Sequence, residues 1–368
     1  MKTSPGALAA VLLAVSLTIR AVEPEPEMET VLVSGEQPGP GLWKVSRDGR
    51  VMWVFGSILE VPDTIRWRTK EVEARIAESQ EVLFPGWPRV KVDIGVFEAM
   101  TLVPLAFKAA KNPDGARLKD LLEPEAYAAW TRLKAKYLGD DDDIEKYRPS
   151  VAEEKLRNAM GKRNRRSWDM DFKYVQPVIE KLARKHRVRI NELPPVVRKL
   201  EVEKPRAILK AARELDLAES ACVGRNLLQL EQADAKGPMP FNVAWINAWA
   251  TGDLDALRAA AVPTDAPKPE DCITTALDAA VNQTDSELPS EVRRGVGILK
   301  QQEDLYALAS EESRRNWIAA AEAALANNSS TFAVLPINLV VESYSWVAKL
   351  QEKGYVVEGP DGKALQVR

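Results

Sequence analysis

Histidine is nearly absent from this sequence. Among 368 residues there is one, His186, inside the basic run Arg184-Lys185-His186-Arg187. With one imidazole and two cysteines, a closed zinc site of four Cys and His ligands cannot be assembled. A Ser-His-Asp triad would have to use His186, whose cationic surroundings are unlike those of a buried general base and place it at the surface. G-x-S-x-G, S-x-x-K and P-loop patterns are missing too, so nucleophilic and nucleotide chemistry find no support. Cysteine is almost as scarce. Cys222 and Cys272 stand far from the early position that a lipid-anchored chain requires. In an exported protein they are expected to form one disulfide, worth about 4 kcal/mol for a loop of this length; two unpaired thiols are the alternative.

Long apolar runs are also lacking. Residues 7–17, after Lys2 and before Arg20, cover about half of the ~20 residues that a bilayer-spanning helix needs. The chain therefore reads as having a signal peptide over residues 1–21, with cleavage near Ala21. Ile19-Arg20-Ala21 is not an A-x-A motif, and an uncleaved short anchor is the alternative. Export to the periplasm or secretion follows, with no transmembrane segment after signal removal. Residues 22–40, rich in Glu, Pro and Gly, read as a flexible lead-in. No Gly/Ser-rich or Pro-rich linker interrupts residues 41–358, which are expected to form one domain, followed by a tail over 359–368.

What is present is ordinary globular composition, 45% hydrophobic and 29% charged, enough to bury a substantial core. Residues 51–58 are apolar and β-branched, and Gly41-Leu42-Trp43-Lys44-Val45 reads as their hairpin partner across Asp48-Gly49. A helix over 67–79 and a short strand over 82–84 follow. The middle is mostly helical: a helix opening at Pro124 and ending at Gly139, then patterns over 151–160, 172–185, 217–235, 242–250 and 254–260, with one strand at 188–193. The end repeats the beginning, with a helix over 317–325, a strand over 331–335, a helix over 343–353 and a strand over 354–357. This predicts an α/β fold leaning to α+β: a mixed central sheet of N- and C-terminal strand-helix-strand units, surrounded by many helices. Ligands in such sheets lie beyond the carboxyl ends of strands, which points to residues 56–60 and 335–339.

Several blocks, in order, resemble the TraB/GumN family, which also includes the Tiki metalloproteases. They are Gly41 to Val45, then Phe55-Gly56-Ser57-Ile58-Leu59, Ala248-Trp249-Ala250-Thr251-Gly252-Asp253-Leu254, Arg315-Asn316-Trp317, and residues 332–339 with 354–358. The resemblance implies a metal and catalytic site formed by a G-x-x-H after the first strand, a glutamate after the next, and a G-H-L motif after the late strand. Here Gly56 matches, but Leu59 stands at the first histidine, Pro85 at the glutamate and Asn338 at the second histidine. Leu335 and Ile337 replace glycines. Aliphatic and proline side chains offer a metal no lone pair, and an amide oxygen is a poor zinc ligand. The resemblance thus implies a degenerate member with no metal and no cofactor: a binding or accessory protein of the cell envelope. A peptidase-like hydrolase with a non-standard carboxylate metal site is the alternative. Leu59, Leu335 and Ile337 are expected to be buried, filling the place of the metal and its water.

Other constellations are weighed against simpler readings. Glu60, Asp63 and Asp93 would suit Mg²⁺ or Ca²⁺ if they converged, but nothing in their spacing fixes their geometry. Residues 155–210 hold 17 Lys and Arg against 6 Asp and Glu, in a chain of net charge −3. Around Arg163, Arg165 and Arg166 this offers a surface for an anionic polysaccharide or an acidic envelope protein; solvated helix faces, with part of the charge neutralised by neighbouring acids, are the simpler and favoured reading. Nucleic acid is not an expected partner, since only Trp168 interleaves the densest cluster. Trp245 and Trp249, four apart in an apolar helical pattern, are read as core.

Overall fold

The computed structural model describes residues 33, 35–167, 172–214, 218–235, 243–261, 271–272, 274–276, 289–341 and 345–364. The segment read as a signal peptide lies outside them, as do Trp168 and most of the lead-in. The backbone is described at Arg163, Arg165 and Arg166, but their side chains lie outside the description.

Asp48 and Gly49 have positive φ, 51° and 77°, the conformation with which a two-residue turn joins twisted antiparallel strands. They connect β2 (Leu42–Arg47) to β3 (Arg50–Ser57). The late strand β11 (Ser330–Pro336) lies parallel to β3, from Ser330 opposite Val51 to Pro336 opposite Ser57. With β6 (Glu81–Phe84), β9 (Arg189–Glu192) and β12 (Val356–Glu358) they form a mixed six-stranded sheet, ordered β12-β2-β3-β11-β6-β9. Strands from the two ends of the chain lie side by side, β12 next to β2 and β11 between β3 and β6, as the paired units at the termini predicted; β9, from the middle of the chain, forms the far edge. β3, β11, β6 and β9 run parallel. All four residues of β6 are buried, the signature of a parallel strand covered on both faces.

Three two-stranded pairs extend this frame. β1 (Gly35–Gln37) is parallel to β5 (Ile65–Trp67), and β4 (Glu60–Pro62) is antiparallel to β8 (Phe172–Tyr174). β1 lies in the stretch read as mobile lead-in; it is held by this pairing and by Gly39, whose N–H donates to Ala250 at 2.7 Å. β7 (Pro88–Asp93) and β10 (Val196–Glu201) are parallel and continue β6 and β9 past a kink. At the kink Gly86 passes so close to Pro194 that a Cβ would sit 2.1 Å from its carbonyl oxygen. Ser313 donates to the Gly86 carbonyl from the long helix Ser290–Asn327, on which β7 and β10 pack. That helix has 38 residues, so Arg315-Asn316-Trp317 lies within it rather than opening it. Its first half is too rich in charge to show an apolar stripe in sequence. No helix of the described residues is long and apolar enough to cross a membrane.

Two hydrophobic cores result. The sheet core centres on Phe55, with Trp67 stacked on it at 5.5 Å and Trp249 edge-on at 6.3 Å between ring centres. The second core joins the helices Pro124–Tyr137, Pro149–Ser167 and Ser220–Ala235 through Trp130, Leu133, Leu156 and Leu227. Here Cys222 and Cys272 form a disulfide with Cα atoms 5.6 Å apart. The Trp130 indole donates to the buried Glu145 carboxylate at 2.8 Å, and Lys134 approaches the same oxygen at 3.3 Å. Burial works against the Lys134 charge, but Glu145 and Asp142 outweigh it and leave its pKa raised.

Candidate functional site at the strand ends

Since β3, β11, β6 and β9 are parallel and adjacent, their last residues, Ser57, Pro336, Phe84 and Glu192, finish at the same sheet edge. Beyond that edge lies a cavity of about 290 Å³. Its walls come from the segments just past each strand: Ser57 to Leu59 after β3, Pro85 and Trp87 after β6, and Pro336 to Asn338 after β11. Gln176 and Trp245 close it from the helices Val175–Lys185 and Val243–Thr251.

The backbone of these segments is pinned. Ile337 donates its N–H to the Ser57 carbonyl at 2.8 Å, and the Ser57 hydroxyl donates to the Leu335 carbonyl at 3.2 Å. Val175 N–H reaches the Leu59 carbonyl at 3.2 Å, Leu193 N–H reaches Phe84, and Val196 N–H reaches Trp87 at 3.0 Å. The Trp249 indole donates to the buried Gly56 carbonyl at 2.8 Å. Gly252, φ 74°, then ends that helix in a left-handed turn, and the Asp253 carboxylate caps the next helix by accepting from Asp255 and Ala256 at 3.1 and 2.9 Å. The Trp-x-x-Gly-Asp block therefore holds up the strand end next to the cleft.

Leu59, Pro85 and Asn338, distant in sequence, line this one cleft together. Their environments differ. Pro85 is buried and Asn338 half-buried. Leu59 is 75% exposed, which corrects the expectation of a buried plug: its backbone belongs to the cleft, while its side chain stands at the rim in solvent. Leu335 and Ile337 do fill space, both fully buried. Ile337 occupies the room beside Gly56, where an added Cβ would lie 2.2 Å from its Cδ1.

The metal that the family resemblance implies does not fit these side chains. Leu59 and Pro85 offer no donor, Gln176 donates its amide to Glu180 at 3.0 Å, and Glu192 is the one ionisable group of the lining. Among the described residues no group of three or more His, Cys, Asp and Glu side chains could hold a metal ion. Asp93 lies on β7 with Lys199 at 3.4 Å, and the side chain of Glu60 lies outside the description. His186 is exposed at the end of its helix, 2.7 Å from Glu73. In the basic stretch, Lys185, Arg189 and Arg198 pair with Glu73, Glu81 and Glu312 of other elements, so part of its charge is neutralised locally. Arg315 and Asn316 are exposed and lie away from the cleft lining, whereas Trp317 is buried against Trp346, ring centres 5.8 Å apart.

The strand-end rule, applied to β3 and β11 in sequence, pointed to segments that do line the cavity. Extended to the strand at 188–193 it reaches Glu192. Trp87 follows the Pro85 position by two residues and was within reach. Gln176 gave no signal, and Trp245, read as core, is half-buried in the cleft wall while Trp249 is fully buried.

A mixed α/β frame with a cleft past four parallel strand ends defines the class of protein. The chain belongs to the TraB/PrgY/gumN family, matched over residues 41–359. No curated protein and no solved structure matches it.

Proposed function

We propose that this chain is an exported, non-catalytic member of its family that binds a small ligand in the strand-end cleft and serves as a binding or accessory protein of the cell envelope. One observation carries the reading. The positions where the family pattern has two histidines and a glutamate share one cleft, and here they supply an isobutyl group, a pyrrolidine ring and an amide. Trp87, Trp245 and Phe84 give that cleft aromatic surface, while Glu192, Gln176 and Asn338 give it a few polar groups, the usual constitution of a ligand pocket. The apolar run at residues 7–17 and the Cys222–Cys272 pair support export, and residues 41–358 act as one domain.

Thermal-shift screening of the purified chain against small ligands, in parallel with Zn²⁺, Mn²⁺ and Co²⁺, tests this. The expected result is an organic ligand that raises the melting temperature and loses its effect in Trp87→Ala, with no shift from the metals. A stoichiometric metal with a clear shift, or a hydrolase activity abolished by Glu192→Gln, would instead establish the carboxylate-site enzyme.

A further inference from the structure

The helix Val96–Ala109 inverts the usual arrangement of a surface helix, with its apolar side chains turned outward. Of its 14 residues only Leu102 is buried. Val96, Phe97, Met100, Val103 and Phe107 are 75%, 87%, 66%, 49% and 57% exposed. Positions 96, 100, 103 and 107 follow helical spacing, so they form one continuous apolar stripe. The helix packs against Pro205–Glu214, which in turn packs on the long helix, where Gly295 admits Ile208. It is thus an outer helix, separated from the long helix by Pro205–Glu214.

Cations outnumber acids around this helix: β7, Val96–Ala109 and Pro205–Glu214 together hold six Lys and Arg against Asp93, Glu98 and Glu214, and Asp93 is engaged by Lys199. Arg89 and Lys91 lie on the strand leading into the helix, Lys108 lies at its end, and Arg206 and Lys210 lie on the supporting helix, where Arg206 donates to Thr101 at 3.0 Å. All five are exposed, and among the described residues none has an acidic partner. Glu98 is the single acid on the helix. A helix of this length, ~21 Å, is too short to span a bilayer. An apolar stripe flanked by cations suits a helix lying in the headgroup region, with its side chains among the acyl chains.

We propose that Val96–Ala109 seats the protein on an anionic membrane surface. The occupant follows from charge complementarity: an exposed apolar stripe with a net cationic flank matches anionic headgroups above acyl chains. The inference is independent of the cleft and its ligand.

The test uses the full chain with phosphatidylglycerol-containing vesicles against pure phosphatidylcholine ones. Phe97→Cys and, as a control on the long helix, Glu303→Cys carry an environment-sensitive fluorophore. The label at 97 is expected to brighten and shift to the blue with anionic vesicles, and the label at 303 to stay unchanged. Phe97→Ser with Met100→Ser should weaken sedimentation with the vesicles about tenfold or more, while Lys108→Gln, Arg206→Gln and Lys210→Gln together should remove the preference for anionic lipid. Vesicle binding without a response at 97, or equal binding by the serine variant, would overturn the proposal. So would a dimer in sedimentation equilibrium that the serine variant abolishes, which would assign the helix to a second copy of the chain.

Discussion

Gly56 shows how a single position holds the cleft in shape. Its carbonyl is taken by Trp249, and the space where a side chain would stand is taken by Ile337 and Trp43. Gly56→Ala is therefore expected to cost about 1–3 kcal/mol through overpacking, and Ile337→Ala should recover part of that in the double variant, read by denaturant unfolding. Leu59 behaves differently. Being 75% exposed, it can become histidine with a change within about 0.5 kcal/mol. A larger loss would mean that the rim closes over it in solution. In the helical core, Glu219 is buried with neither carboxylate oxygen hydrogen-bonded. Burial pushes its pKa up, and nearby Ser150 and Arg148 only partly oppose this. A raised native pKa means the folded protein holds this proton to higher pH than the unfolded chain, so stability falls as pH rises from the ordinary glutamate value through the native one. Glu219→Gln should accordingly raise the melting temperature at neutral pH, and the gain should vanish below the ordinary glutamate range. A gain that persists there would place the cause elsewhere.

At the level of elements, the kink that joins β6 to β7 and β9 to β10 depends on Gly86. A Cβ there meets a backbone oxygen rather than a side-chain tip, and backbone cannot yield cheaply. Gly86→Ala should cost about 3 kcal/mol or more and loosen the cleft wall that carries Trp87, visible as faster amide exchange in β7 and β10. These two strands were not legible in the sequence. Pro88 and Pro194-Pro195 break the apolar runs, and β7 alternates Arg89, Lys91 and Asp93 with valines like any exposed edge. The terminal units were legible because β3, β6 and β11 are largely buried and read as continuous apolar runs, bounded by Asp48-Gly49 and by helices. The Val96–Ala109 helix escaped for the opposite reason: apolar on nearly every side, it has no amphipathic period to reveal it, and only its exposure shows what it is.

For the whole molecule, the two cores set separate limits on stability. The Cys222–Cys272 bridge closes a 50-residue separation within the helical core, so replacing both cysteines by alanine should cost about 4 kcal/mol in the chain-entropy account. That loss should appear as earlier unfolding of the helical core, with the sheet retained longer; one unchanged transition would contradict it. The cleft belongs to the sheet core, and its outline was readable from three family positions because parallel strands bring their ends together whatever the intervening sequence. What the sequence did not show was the rim exposure of Leu59 and the parts played by Gln176 and Trp245, which depend on how helices from other regions cap the edge. The central claim is that residues 59, 85 and 338 mark one site whose side chains cannot hold a metal. The most direct test is the metal content, by elemental mass spectrometry after equilibration with Zn²⁺ and dialysis, of the native chain beside Leu59→His/Pro85→Glu/Asn338→His. The account predicts no bound zinc in the native chain and stoichiometric zinc in the triple variant. Stoichiometric metal in the native chain, or none in a folded triple variant, would contradict it.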